Sequence, residues 1–170
     1  MRENAFKTKD DAKYWPCLLR RLTDFAPEEK KEPFSAGITM KQLKKDVFEN
    51  IEMILNSRSH PQGAELERYP DLQNSVLGFG LSDFCGKVCS RNDREEIRDC
   101  ILNQLKWFEP RLAADSIEVE FRKDAGERTS VLEFNIQGRI EVGELSEEIV
   151  FVSKLDLETG TSLLQSAQEG

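Results

Sequence analysis

Near the middle of the chain, Glu109, Pro110 and Arg111 place a carboxylate and a guanidinium two positions apart across a proline. In extended backbone, residues two apart project to the same side, so Glu109 and Arg111 are expected to stand together. An arginine fork and a carboxylate make directional, charge-assisted hydrogen bonds. They can serve an internal ion pair that pins a chain junction, or a polar contact offered to another protein. Spacing alone leaves both uses open. The other group with ligand chemistry is Cys17, Cys85, Cys89 and Cys100 with the single His60. Zinc sites favour tight knuckles of ligands, and Cys100 falls on the apolar face of a helix, where a thiol behaves as a small hydrophobe. No metal site and no cofactor is expected. His60 sits beside Pro61 with no nucleophile nearby in sequence and reads as a solvated loop residue. Gly78-Phe79-Gly80 lacks the third glycine and the preceding strand of a dinucleotide loop.

The elements that must position these residues change character at the same place. Pro110 lacks a backbone N–H and pushes Glu109 toward extended geometry, so a helix should end near Phe108 and strands should follow. Upstream, Thr39 reads as an N-cap for a helix to about Ser57 with Leu43, Val47, Ile51, Ile54 and Leu55 on one face. Tyr69-Pro70-Asp71 opens a short helix through Leu77, with Gly78 or Gly80 as a left-handed end. Asn92 with Glu95 resembles a capping box for the main helix, whose stripe is Ile97, Cys100, Ile101, Leu105 and Phe108. Trp107 lies off that stripe.

Downstream, Ile117, Val119 and Phe121 alternate with charged residues, as Leu132, Phe134, Ile136 and Ile140 alternate with polar ones. Asp124–Arg128 reads as the turn between them, and Gly138 as a bulge or a close backbone approach. A third, more buried strand runs from Ile149 to about Leu157, Thr159-Gly160 closes it, and the polar tail from Gln165 should fray. The expected fold class is α+β, with helices packed on one face of a small, mainly antiparallel three-stranded sheet. Such a sheet has edges, and unpaired edges are templates for another chain's backbone.

The N-terminal stretch holds a short amphipathic helix with Leu18, Leu19, Leu22 and Phe25 along one side. A charged, proline-bounded tether, Pro27 to Pro33, follows it. The helix must dock, either on its own domain or on another subunit. The expected organisation is an extension over 1–33, one α+β domain over 34–160 and a disordered tail over 161–170. With 24 basic and 32 acidic side chains the net charge is −8, which argues against phosphate-backbone binding, so no nucleic-acid partner is expected. No stretch has the apolar run of a signal peptide or membrane span, so the expected place is the cytoplasm, without direct membrane insertion.

Leu18-Leu19-Arg20-Arg21-Leu22-Thr23-Asp24, Tyr69-Pro70-Asp71 with Ser75-Val76-Leu77 and Gly80-Leu81-Ser82-Asp83, Phe108-Glu109-Pro110-Arg111-Leu112, and Leu155-Asp156-Leu157-Glu158-Thr159-Gly160 form an ordered set. The set resembles the TssE family, the small baseplate wedge subunits of the bacterial type VI secretion system. That family is similar to the lysozyme-like wedge proteins of contractile phage tails. The resemblance implies a non-catalytic assembly protein on the cytoplasmic side of the inner membrane. Its partners would be the wedge proteins TssF and TssG, TssK through them, and the sheath proteins TssB and TssC. It also implies a role for Glu109, Pro110 and Arg111 in attaching the first sheath ring, and suits a grip on the wedge by Leu18, Leu19 and Leu22. Two other functions stand beside it. A peptidoglycan hydrolase, suggested by the lysozyme-like label, needs two carboxylates across a cleft, one of them protonated. A carboxylate beside an arginine favours the ionised form, the wrong state for a general acid. The remaining function is a free adaptor that binds a regulator through its sheet edge.

Overall fold

The computed structural model describes residues 14–23, 27–28, 30, 37–59, 68–85, 90–122 and 130–166. Phe25, His60, Cys89, the expected turn Asp124–Arg128 and most of the tether after Pro27 lie outside them. The chain forms two compact units, Met1–Glu49 and Asn50–Gly170. Helix α2 (Met40–Asn56) has its first part in one unit and Asn50 onward in the other.

In the first unit, Tyr14 and Ile38 exchange two backbone hydrogen bonds, 2.9 Å and 2.7 Å, that bring the N-terminal segment beside the start of α2. Thr39 caps α2 as its residue type predicts. The Gln42 amide donates to Thr39 Oγ1, and the Thr39 amide donates to Gln42 Oε1, a reciprocal box. Helix α1 (Leu18–Leu22) is a single turn without a side-chain cap, too short to hold itself. Arg20 Nη1 donates to the buried Asp46 Oδ1 on α2 at 2.6 Å and ties it down.

In the second unit, α3 (Pro70–Gln73) passes into a 3₁₀ turn, Val76–Gly78, and α4 (Arg91–Phe108) follows. The cap of α4 lies two residues earlier than the Asn92 expected. Ser90 Oγ accepts from the Asp93 amide, and Asp93 Oδ2 accepts from the Ser90 amide. A capping box closed by aspartate adds two residues to the helix and puts a negative charge at its positive end. Glu109 then leaves the helix with φ −125°, as Pro110 requires.

The sheet is antiparallel in the order β1 (Glu118–Phe121), β2 (Val131–Val142), β3 (Leu145–Asp156), β4 (Ser162–Ser166). Its α+β class is the one expected, and its strand number is four where three were expected. Ser162–Ser166, inside the tail over 161–170 that was expected to be disordered, form β4. Ser162-Leu163-Leu164-Gln165-Ser166 carries no alternation of its own; it becomes a strand by pairing with Phe151–Leu155. β2 and β3 pair without a break from Val131↔Asp156 to Val142↔Leu145, so Gly138 marks no bulge. Gly143 (φ +64°) opens their two-residue loop, as a type II′ turn demands. One face of the sheet is dry, with Leu132, Phe134, Ile136, Ile140, Ile149, Phe151 and Leu155 buried on it. On the other face Glu133, Asn135, Gln137 and Arg139 are half-buried. Ile51, Ile54 and Leu55 of α2 and Ile97, Ile101 and Leu105 of α4 complete the core of this unit.

Candidate functional site

Glu109 and Arg111 stand together as expected, but a tight turn rather than extended backbone brings them there: the Leu112 amide donates to the Glu109 carbonyl at 3.1 Å across Pro110 and Arg111. Arg111 Nε donates to Glu109 Oε1 at 2.6 Å and Arg111 Nη2 to Oε2 at 2.5 Å, a two-point fork. The Arg111 amide adds a longer bond to Oε1. Asn50 Nδ2, from α2, donates to Oε2 at 2.8 Å and to the Phe108 carbonyl at 3.1 Å. Glu109 is fully buried, Arg111 keeps 19% of its side chain exposed, and Pro110 is exposed. A buried carboxylate is tolerable only when paired and hydrogen-bonded, and this one is.

The segment that follows is stitched to the sheet. The Glu141 amide donates to the Arg111 carbonyl and the Ala113 amide to the Arg139 carbonyl, both at 2.9 Å. Leu112, bridged to Ile140, is buried. The junction therefore continues the β1 side of the sheet along β2. Its charged pair faces the α2 side through Asn50 and leaves Pro110 and one flank of Arg111 outward. In chemical terms the site is a clasp: it fixes where the chain crosses from helix to sheet.

Helix α1 presents the other residues singled out by sequence. Leu18 and Leu22 are 66% and 76% exposed, so the apolar side points outward while Arg20 makes the internal contact. Trp15 is also exposed, and the Arg21 guanidinium lies 5.4 Å from its ring centre, a cation–π contact. Leu19 belongs to α1, and its side chain lies outside the described residues.

A second constructed feature is the loop after α3. Gln104, buried on α4, donates Nε2 to the Gly78 carbonyl and accepts the Gly80 amide on Oε1, both at 2.8 Å. Leu81 exchanges backbone bonds with the end of α2, its amide donating to the Ser57 carbonyl and its carbonyl accepting from Ser59. Gly80 is the left-handed residue, at φ +100°. Phe79 packs edge-on against Phe108, their centres 5.0 Å apart.

Residues 41–144, more than half of the chain, match the family of the baseplate wedge protein gp25. The chain belongs to this family. No curated protein and no solved structure matches it. The family is one of structural baseplate components, and the matched residues contain both the Glu109–Arg111 clasp and the Gln104 loop.

Sequence reasoning missed Asn50 and Gln104, polar residues on otherwise amphipathic helices whose partners lie far along the chain. Cys17 and Cys85 are exposed and Cys100 is half-buried, its sulfur 3.9 Å from Ser82 Oγ. Cys85 stands beside Asp83. A hydrogen bond to that carboxylate pushes the thiol's pKa above its ordinary value, while the Cys85 amide and thiol hold Asp83 below its own. Among the described residues there is no cluster of three or more His, Cys, Asp or Glu side chains placed to share a metal ion. Nor does any described helix have the length and apolarity to cross a membrane.

Proposed function

We infer that this chain is the TssE-type wedge subunit of a type VI secretion baseplate, a non-catalytic part that joins the wedge proteins to the first ring of the contractile sheath. The observation that carries the inference is the wedge-family match over residues 41–144. The ordered short motifs from Leu18 to Gly160 favour the secretion-system branch of such machines. Its partners are TssF and TssG, with TssK reached through them, and TssB and TssC on the sheath side. It works in the cytoplasm, against the inner membrane.

The outward Trp15, Leu18 and Leu22 suit a grip on a wedge protein, since an apolar ridge of this kind fits a hydrophobic groove. The clasp suits a supporting role. Glu109 stays inside and holds Arg111, while the exposed Pro110 meets the partner. A Glu109 carboxylate engaged by Arg111 and Asn50 is poorly placed for acid catalysis, which disfavours glycan hydrolysis.

Co-expression with TssF and TssG, followed by assembly of TssB and TssC, tests the inference. The wild-type chain co-purifies with the wedge pair and supports sheath assembly, and a Leu18→Glu, Leu22→Glu variant loses the wedge pair while remaining folded. Release of soluble fragments from purified peptidoglycan by the protein alone would overturn it.

A further inference from the structure

The stretch that carries α3 and its 3₁₀ turn is apolar where a surface segment is normally polar. From Tyr69 to Leu81 the sequence has one charge, Asp71, in a chain where 33% of the residues are charged. Among the described residues of the family-matched stretch 41–144, Met53, Trp107 and Val131 are exposed one at a time, whereas Tyr69, Leu72, Val76 and Leu77 are all exposed within a short run. Their exposure goes from 37% at Leu72 to 89% at Val76. Single exposed apolar side chains are ordinary, but a group of them marks a contact surface.

The same stretch is held firmly from within. The Ser75 hydroxyl donates to the Leu72 carbonyl at 2.7 Å and accepts the Leu77 amide, so it ties α3 to the 3₁₀ turn. The Gly78 amide donates to the Ser75 carbonyl at 2.9 Å. From α4 the buried Gln104 takes Gly78 and Gly80 in its two carboxamide bonds, and both glycines lie against backbone that leaves no room for a side chain. These bonds fix main chain and leave Val76 and Leu77 uncovered. A rigid segment that already presents its apolar side chains has little freedom to lose on binding, which suits an anchor.

We propose that Tyr69, Leu72, Val76 and Leu77 form a second anchor for the wedge, seated in an apolar groove of a wedge protein that carries a basic side chain at its rim. This rests on the wedge-subunit reading above and adds to the α1 ridge, which lies outside the family-matched residues. A contact common to a family of baseplate parts belongs in the residues that the family shares, and this is the densest group of exposed apolar residues described there. Charge selects the occupant. Asp71 is exposed beside Leu72, and among the described residues no ion pair reaches it, so a positive group on the partner completes it. A second copy of this chain, at net charge −8, is repelled. Val76 and Leu77 stand out from the turn as knobs, and knobs call for a concave apolar partner.

The test uses the full-length chain with the co-purified TssF–TssG pair as the probe, affinity read by calorimetry and folding by circular dichroism. Val76→Glu, at an almost bare position, keeps the fold and weakens binding by roughly tenfold or more, the loss of one interface anchor. Leu77→Glu does the same. Leu163→Glu, which alters a similarly exposed leucine on β4, leaves binding to the pair unchanged. Asp71→Lys weakens binding further than Asp71→Asn, because it sets two positive groups together. If Val76→Glu and Leu77→Glu are folded and bind the pair as tightly as the wild type, the loop is no anchor and the proposal falls while the wedge reading stands. Wild-type self-association in sedimentation that Val76→Glu abolishes would make the occupant a second copy and overturn the proposal. Failure of the wild-type chain to bind the pair would overturn the wedge reading and this proposal together.

Discussion

Asn50 and Glu109 meet in the interior, where Asn50 Nδ2 donates to Glu109 Oε2 at 2.8 Å and also reaches the Phe108 carbonyl. The amide thus satisfies the end of α4 and the carboxylate beyond it at once. Asn50→Ala should cost about 1–3 kcal/mol, since it leaves a buried acceptor short of a donor. Asn50→Asp should cost more, because it sets a second carboxylate against the first. Urea unfolding of the three proteins gives the order wild type, alanine variant, aspartate variant.

Glu109 and Arg111 separate a structural role from a contact role. Glu109→Ala removes the buried partner of the fork and should cost about 3–5 kcal/mol. Arg111→Lys keeps the charge but loses the two-point geometry, so a smaller loss of about 1–2 kcal/mol is expected. If Arg111 also meets the sheath, Arg111→Lys lowers sheath assembly in cells further than its midpoint shift accounts for. Equal effects on both would confine the pair to holding the fold. Denaturation midpoints and fluorescent sheath counts supply the two readouts.

The glycines of the α3 loop should rank by what surrounds them. A Cβ on Gly78 would lie 2.0 Å from the Gln73 carbonyl oxygen, and one on Gly80 would lie 2.7 Å from the Ser57 backbone at a left-handed φ. Alanine at either should cost about 1–3 kcal/mol from overpacking or strain. Gly143 is also left-handed but has open space around it, so Gly143→Ala should cost nearer 1 kcal/mol, the ordinary left-handed penalty. Gly138 has ordinary backbone, and a Cβ there would meet the Leu112 and Ile117 side chains at van der Waals distance, so Gly138→Ala should be tolerated. Thermal unfolding of the four single variants checks the order.

What the sequence made legible followed from covalent and short-range causes. Pro110 fixed the end of α4 because its effect acts on the adjacent residue, whereas Glu109 and Arg111 meet through a tight turn closed by the Leu112 amide and not through the extended backbone expected. The α2 stripe and the alternation of β2 were visible because each element repeats its own period. The cap of α4 was misplaced because Ser90 and Asn92 are both good cappers, and aspartate closes the box where glutamate was sought. β4 was invisible because its state is set by β3 and by Asn56, whose side chain bonds the Ser162 peptide groups, and neither is near it in sequence. The burial of Glu109 depends in the same way on Asn50, some sixty positions upstream, so spacing gave the pair and packing alone gave its role.

Acid should loosen the hairpin end of the sheet first. Asp156 Oδ1 accepts the Glu158 amide at 2.8 Å and the Thr159 amide at 3.3 Å, and these bonds hold its pKa below the ordinary 3.8. Glu133, on the solvated face, is held below 4.5 chiefly by the hydrogen bond from Lys154, with Lys154 and Arg122 adding charge. A carboxylate whose folded pKa is depressed adds stability that is fully present above its unfolded pKa and is lost as pH falls through the folded one. Both groups are only half-buried and in reach of solvent, so each contribution is small and screened by salt. Stability should therefore be flat near neutrality and fall once the pH passes below about 4, the ordinary carboxylate range. Asp156→Asn and Lys154→Met should each lower stability at neutral pH and make the acid fall shallower, since each removes a carboxylate shift that acid would otherwise abolish. Unfolding free energies at a series of pH values decide it: an acid limb as steep in both variants as in the wild type would show that other carboxylates set the loss.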